Sequence, residues 1–291
     1  MRLATIRHQG RARAGIVEGE RIRLLDAADV GALLRAGVTR DSLHGGETVG
    51  IEEVVPAPLV LEPRKILCIG LNYRSHAQEL GVQPPKHPNI WAKFTRSIIG
   101  ARDPIALPRA SEQCDFEVEL GIVIGAELRY GSRDEALPAI AGYTVCNDVS
   151  VRDWQLRTRE ALQGKAWERM TPIGPLLVTP DEIDHARDLR VECLVDGVPK
   201  QDARTSDMIF GPAELVSYIS TFITLEPGDL ILTGTPAGVG FTRKPPEYLR
   251  PGHVVHTRIE GIGELVNECV PESAWREAVP ASADARVLRT A

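Results

Sequence analysis

The stretch Asp115-Phe116-Glu117-Val118-Glu119-Leu120-Gly121-Ile122-Val123-Ile124-Gly125 decides how the rest of this chain is read. It has a strand's period of two: Val118, Leu120, Ile122 and Ile124 turn to one side, and Asp115, Glu117, Glu119, Gly121 and Val123 to the other. On such a strand Glu117 and Glu119 start roughly 7 Å apart, close enough to converge on one cation. Two carboxylates followed on the same face by a residue without a side chain favour that use. The competing reading is an ordinary half-buried strand with a solvated acidic face, and the flanking segments weigh between the two.

On the carboxyl side, Tyr143-Thr144-Val145-Cys146-Asn147-Asp148-Val149-Ser150 reads as a strand ending on an Asn-Asp pair. Asp148 there is a third oxygen ligand, and an all-oxygen set suits a hard cation, Mg²⁺, Mn²⁺ or Ca²⁺, in preference to zinc. Alternation turns Cys146 and Asp148 alike but Cys114 away from Glu117, so thiolate ligation is not coherent. On the amino side, the apolar run Lys65-Ile66-Leu67-Cys68-Ile69-Gly70 is a buried strand. Asn72 as N-cap and Gly81 as C-cap bound a two-turn helix over 73–80, on which His76 and Glu79 share a face. A carboxylate beside an imidazole fixes its tautomer and raises its basicity, as a water-activating base requires; an incidental surface pair is the plainer reading.

Other polar residues fall near these segments. Residues 82–88, with Pro84, Pro85 and Pro88, read as a loop or lid. Lys93, in an apolar run, suits an anion or snorkels to the surface. Residues 151–163 are helical in pattern and carry Arg152, Gln155, Arg157 and Arg159. Lys165, among Gly164, Trp167 and a proline-bounded turn, could hold a substrate oxyanion. The loop 233–240 is glycine-rich but lacks a GK[ST] ending and a following helix pattern, so phosphate-loop and dinucleotide readings fail; its N-H groups and hydroxyls still suit a carboxylate.

At 291 residues, with 43% hydrophobic and 25% charged residues, the chain is of ordinary globular composition. A formal net charge of -6 without a basic run speaks against nucleic acid. No window approaches a membrane span and Met1 to His8 lack a signal peptide's apolar core, so the expected location is cytoplasmic. Five widely spaced cysteines without a CxxC pair read as reduced, buried thiols. Short strands in residues 2–25 and a short helix over 27–36 make residues 1–60 a small structural module, leaving residues 61–291 as the main domain. Closing strands lie in 254–267, and residues 274–291 form a peripheral segment.

Taken in order, six motifs resemble the fumarylacetoacetate hydrolase superfamily over residues 63–270. They are Gly70-Leu71-Asn72-Tyr73 with His76 and Glu79, Asp115 to Leu120, Asn147 to Ser150 with Arg152, Asp153 and Gln155, Gly164-Lys165, Pro172 to Pro175, and Thr233 to Gly240. The resemblance implies an α+β, β-rich fold, a mixed β-sheet roll with a small amino-terminal β module, and a homodimer. It also implies Mg²⁺ or Mn²⁺ on Glu117, Glu119 and Asp148, a catalytic set of His76, Glu79 and Lys165, and substrate contacts from Gln155 and Thr235. Asn72, Tyr73, Lys93, Arg152 and Gly234 complete the expected substrate-binding set. Glu168 stands where the family has an aspartate, a departure expected at the pocket rim.

The function expected from this is metal-dependent hydrolysis of a C-C bond in an acylpyruvate or related 1,3-dicarbonyl 2-oxo acid, such as fumarylpyruvate or maleylpyruvate, in aromatic-compound catabolism. His76 would activate water, and Lys165 would stabilise the tetrahedral oxyanion. Arg74, Arg157, Arg159 and Arg169 would select the acyl group. Decarboxylation of oxaloacetate, or isomerisation and hydration of dienoic 2-oxo acids, uses the same stabilised enolate. A metal-binding scaffold without turnover is the reading of another class; it predicts a chain lacking the base or the lysine, and His76 and Lys165 are both present.

Overall fold

The computed structural model describes residues 1–37, 43, 46–275 and 285–288. Its centre is the acidic strand, Val118–Ile124, paired antiparallel with Ile140–Asn147 on one side and Leu230–Leu232 on the other. All seven of its residues are buried, so neither face is solvated and the half-buried alternative falls away. Alternation holds: Leu120, Ile122 and Ile124 enter a core shared with Val191, Val255 and Leu265, while Val123 enters a second core with Cys146 and Leu232. The strand begins at Val118, because Cys114–Asp115 turns off to pair with Ser150–Val151.

Among the described residues the acidic strand belongs to a 12-stranded mixed sheet in which Leu230–Leu232 runs parallel to Ile66–Gly70. A five-stranded sheet, built on Arg190–Val195, Val254–Ile259 and Gly263–Pro271, packs across it. The expected strand-rich mixed fold is therefore what the chain adopts. The amino-terminal strands join the large sheet directly, since Arg2–His8 pairs with Thr171–Val178. The helix Val30–Arg35, capped by Asp29, adds Val30 and Leu33 to the core that holds Cys68 and Cys146. The described residues among 1–60 thus share both sheet and core with the main domain.

Local expectations change in four places. The helix after the first main-domain strand runs Arg74–Glu79 with Tyr73 as its uncapped N-cap, because the Asn72 side chain is spent on Phe210 and Thr233. The helical pattern over 151–163 resolves into two short helices, Arg152–Gln155 and Leu162–Lys165. Gly121 leaves room for protein instead of a cation: a Cβ there would meet Cys146 Sγ at 2.5 Å and Thr144 Cγ2 at 2.7 Å. Within the expected peripheral tail, Val287 and Leu288 are core residues; 276–284 and 289–291 lie outside the described residues. All five cysteines are free and buried.

Candidate active site

Three neighbouring elements deliver the carboxylates. The acidic strand and the residue before it present Glu119 and Glu117, and the turn after Ile140–Asn147 presents Asp148, whose N-H donates to the Glu117 carbonyl at 2.9 Å. One oxygen from each carboxylate lies within 4.8 Å of the others, and all three residues are buried. Such a set cannot stay charged in an apolar interior without partners. Lys165 Nζ lies between Glu117 Oε2 at 2.5 Å and Asp148 Oδ2 at 2.8 Å. Arg152 Nη2 is 2.7 Å from Glu117 Oε1, and Lys93 Nζ is 2.5 Å from Asp148 Oδ1. Among the described residues Glu119 has no cation and takes only the Gly234 N-H, at 2.8 Å.

The electrostatics follow that partnering. Burial presses upward on the pKa of Glu117 and Asp148, but Lys165 with Arg152, and Lys165 with Lys93, outweigh it and hold both below the usual range. Glu119 is pushed well above its usual value by burial and by repulsion from Asp148 and Glu117. One further cation would complete the set, and Lys165 Nζ already marks a place where positive charge is held between two of its members. Hard oxygen donors fit Mg²⁺ or Mn²⁺. The thiols of Cys68 and Cys146 are pushed well up by burial, with Asp148 and Glu119 adding to it, so they do not compete as thiolates.

A cavity of about 290 Å³ opens over Glu117 and Glu119. His76, Arg152, Gln155, Lys165 and Thr235 line it with them, and Leu71, Leu80, Trp91, Leu156 and Phe241 supply an apolar wall. His76 Nδ1 lies 2.8 Å from Glu79 Oε2, which leaves Nε2 for the cavity the ring lines. Glu79 Oε1 accepts from Gly238 N at 2.9 Å and Thr242 Oγ1 at 2.8 Å. Burial tends to raise Glu79, yet the hydrogen bonds from His76, Gly238 and Thr242 hold it below its usual value. The wall is built with care for space: a Cβ on Gly70 would come within 2.0 Å of the Trp91 ring, and Leu71 has a left-handed φ of 56°.

Several expected roles move. Asn72 and Tyr73 are buried behind the cavity, and Lys93 sits behind Asp148, so none of the three is part of its wall. Thr235 lines the cavity, but its hydroxyl donates to the Val118 carbonyl at 2.9 Å and accepts from Gln201 Nε2 at 2.8 Å. The loop 233–240 spends three of its N-H groups on the protein's own acids: Gly234 on Glu119, Gly238 on Glu79, Gly240 on Asp115. Arg74 holds the Asp207 and Met208 carbonyls, Arg157 stacks on Trp154, and Arg169 on Trp275. Arg159 is exposed and off the wall. Glu168 pairs with Arg96 and lines a separate hollow with Trp154 and Trp167.

Sequence reasoning missed Gln201, which also accepts the Val118 N-H at 2.9 Å, and Asn147, whose Oδ1 accepts from Glu117 N at 2.9 Å. Asn147 stood next to a candidate ligand and could have been found that way. Gln201 comes from a distant strand, Val198–Arg204, and carries no local signal.

Comparisons with known proteins place the chain in a family. The family Fumarylacetoacetate (FAA) hydrolase C-terminal matches residues 65–270, and Rv2993c-like, N-terminal matches residues 1–54. Oxaloacetate tautomerase Fahd2a, mitochondrial, of Rattus norvegicus is 43% identical over 212 residues, 72% of this chain and 68% of the relative. Fumarylacetoacetate hydrolase from psychrophilic Exiguobacterium antarcticum superposes with a TM-score of 0.85 at 33% identity, covering 93% of this chain and 99% of that one. The 2-hydroxyhepta-2,4-diene-1,7-dioate isomerase from Mycobacterium marinum gives 0.79 at 34%, covering 94% and 99%. On the family match, the identity and the shared fold, the chain belongs to the fumarylacetoacetate hydrolase family.

Proposed function

We propose that this protein is a divalent-cation-dependent enzyme of small 2-oxo acids, and that it interconverts the enol and keto forms of oxaloacetate or a close analogue. One observation carries the reading: an imidazole oriented by a carboxylate lines the same cavity as Glu117 and Glu119, two members of a carboxylate triad suited to a hard cation. Glu117, Glu119 and Asp148 would hold the cation, which when bound supplies positive charge to the oxygens of a 2-oxo acid. His76 accepts the C3 proton through Nε2 as the C3-H electron pair moves toward the C2 oxygen. Return of the proton to carbon gives the keto form, and to oxygen the enol. Glu79 keeps the proton of His76 on Nδ1, so the ring presents a basic Nε2. Burial alone would lower Lys165, but Asp148 and Glu117 raise it, so it stays an ammonium and acts on developing negative charge without giving up its proton.

The 43% identity to an oxaloacetate tautomerase supports this choice of reaction. A second reading, hydrolysis of an acylpyruvate, draws on the apolar wall of Leu71, Leu80, Trp91, Leu156 and Phe241, which a four-carbon diacid does not need. There His76 takes its proton from water instead of from C3. An ultraviolet assay with Mg²⁺ over oxaloacetate and a set of acylpyruvates, with products identified, separates the two. Faster loss of the oxaloacetate enol with total oxaloacetate conserved is the expected result. Release of pyruvate and a carboxylic acid from an acylpyruvate supports the second reading, and no acceleration with either substrate removes both.

A further inference from the structure

Asp115 lies on the acid face of the sequence motif, is fully buried, and neither lines the cavity nor belongs to the carboxylate triad. Its carboxylate nonetheless collects more donors than either glutamate of the triad. Oδ2 accepts from Arg152 Nε at 2.8 Å and from Phe241 N at 3.0 Å; Oδ1 accepts from Gly240 N at 2.7 Å and from Phe116 N at 2.8 Å. The approach is possible only because residue 240 is glycine, since a Cβ there would meet Asp115 Oδ1 at 2.6 Å and the Glu247 carbonyl oxygen at 1.9 Å.

Two chains of contacts start from these bonds. Through Arg152, whose Nη2 is 2.7 Å from Glu117 Oε1, Asp115 reaches a candidate cation ligand. Through the N-H groups of Gly240 and Phe241 it fixes the turn Gly240–Thr242, and from this turn Thr242, with Gly238 just before it, holds Glu79 Oε1. Glu79 in turn holds His76. Phe241 lies under the Arg152 guanidinium, 4.4 Å from its ring centroid, which ties the two chains together. We infer that Asp115 is a positioning residue that registers the His76–Glu79 pair against the cation-binding carboxylates, so that both halves of the site depend on one buried side chain. This rests on the reading of the triad as a cation site and of His76 as the proton carrier.

The test is Asp115→Asn, which keeps the shape but cannot accept from all four donors. Mn²⁺ affinity, followed by electron paramagnetic resonance, reads the cation half without any substrate. Turnover of oxaloacetate enol at saturating Mn²⁺ reads the proton-transfer half. Loss of an outer-shell orienting group typically costs 10–100-fold, so a weakening of Mn²⁺ binding and a fall in kcat, each by about that factor, are expected from a folded variant. A folded variant in which only one of the two changes, or neither, overturns the inference. Thr242→Val, which cuts the far end of the second chain on the surface, is expected to lower kcat by about tenfold and leave Mn²⁺ affinity unchanged; wild-type kcat in that variant overturns the inference even if Asp115→Asn does not fold. If the wild-type protein binds Mn²⁺ but accelerates no 2-oxo acid, the proposed reaction fails separately.

Discussion

Lys165 is the residue on which the site's charge balance turns. It is 1% exposed, on a four-residue helix, with its ammonium shared between Glu117 and Asp148. A cation binding to the triad must accommodate that resident charge or displace it. Replacing Lys165 by Met removes the repulsion a few ångströms from the incoming ion, so Mn²⁺ should bind more tightly, by roughly tenfold or more. The same change takes away the group proposed to answer negative charge on the substrate, so kcat should fall by about 10²–10³-fold. Calorimetric titration with Mn²⁺ and the enol assay measure the two effects; weaker Mn²⁺ binding in the variant contradicts this account of the lysine. At this scale the sequence was legible where chemistry is dense. Glu117, Glu119 and Asp148 stand on adjoining segments, and His76 and Glu79 are one helical turn apart. The arginines were misread because nothing local tells whether a surface guanidinium faces a cavity, a carbonyl or an indole.

At the scale of elements, the period of two in residues 118–124 placed both faces of the central strand correctly, and burial on each side is what the chain's two cores require. What the period could not reveal is that the second face would also be covered, since that depends on amino-terminal residues such as Val30 and Leu33 arriving from far away in sequence. The loop 233–240 was misassigned for a related reason: its N-H groups had a chemistry that suits any carboxylate, and the protein's own acids reached them first. The second sheet is laced differently, by exposed cross-strand ion pairs. Arg190 bridges to Asp202 at 2.9 and 2.8 Å, and Arg258 to Glu192 at 2.7 and 3.2 Å. The hydrogen bond from Arg190 is the main reason that Asp202 titrates below its usual range. With a folded pKa below the unfolded value near about 3.9, its contribution to stability is present above that pH and disappears as pH falls through the folded pKa. Asp202→Asn should therefore lower the melting temperature slightly at neutral pH, with the difference from wild type vanishing as the pH falls below the folded pKa and shrinking in about 1 M salt. Calorimetry across pH measures this, and a difference that persists in acid contradicts it.

At the scale of the molecule, the amino-terminal strands extend the large sheet through the pairing of Arg2–His8 with Thr171–Val178. The sequence marked those strands and their turns but not their partner, because a pairing across some 170 residues of chain leaves no local trace. The large sheet in turn brings the helix Arg74–Glu79, the acidic strand and the loop 233–240 side by side, through the neighbouring strands Ile66–Gly70, Leu230–Leu232 and Val118–Ile124. The His76–Glu79 pair and the carboxylate triad are thus held on one framework, and the proposed function has them act together on the enol of a 2-oxo acid. The direct measurement is stopped-flow ultraviolet absorbance of freshly dissolved oxaloacetate enol, with and without Mg²⁺, for the wild type and for His76→Ala. The account predicts Mg²⁺-dependent acceleration in the wild type and a loss of about 10²–10⁴-fold in His76→Ala with Mn²⁺ binding intact. Undiminished, Mg²⁺-dependent acceleration by His76→Ala would contradict it.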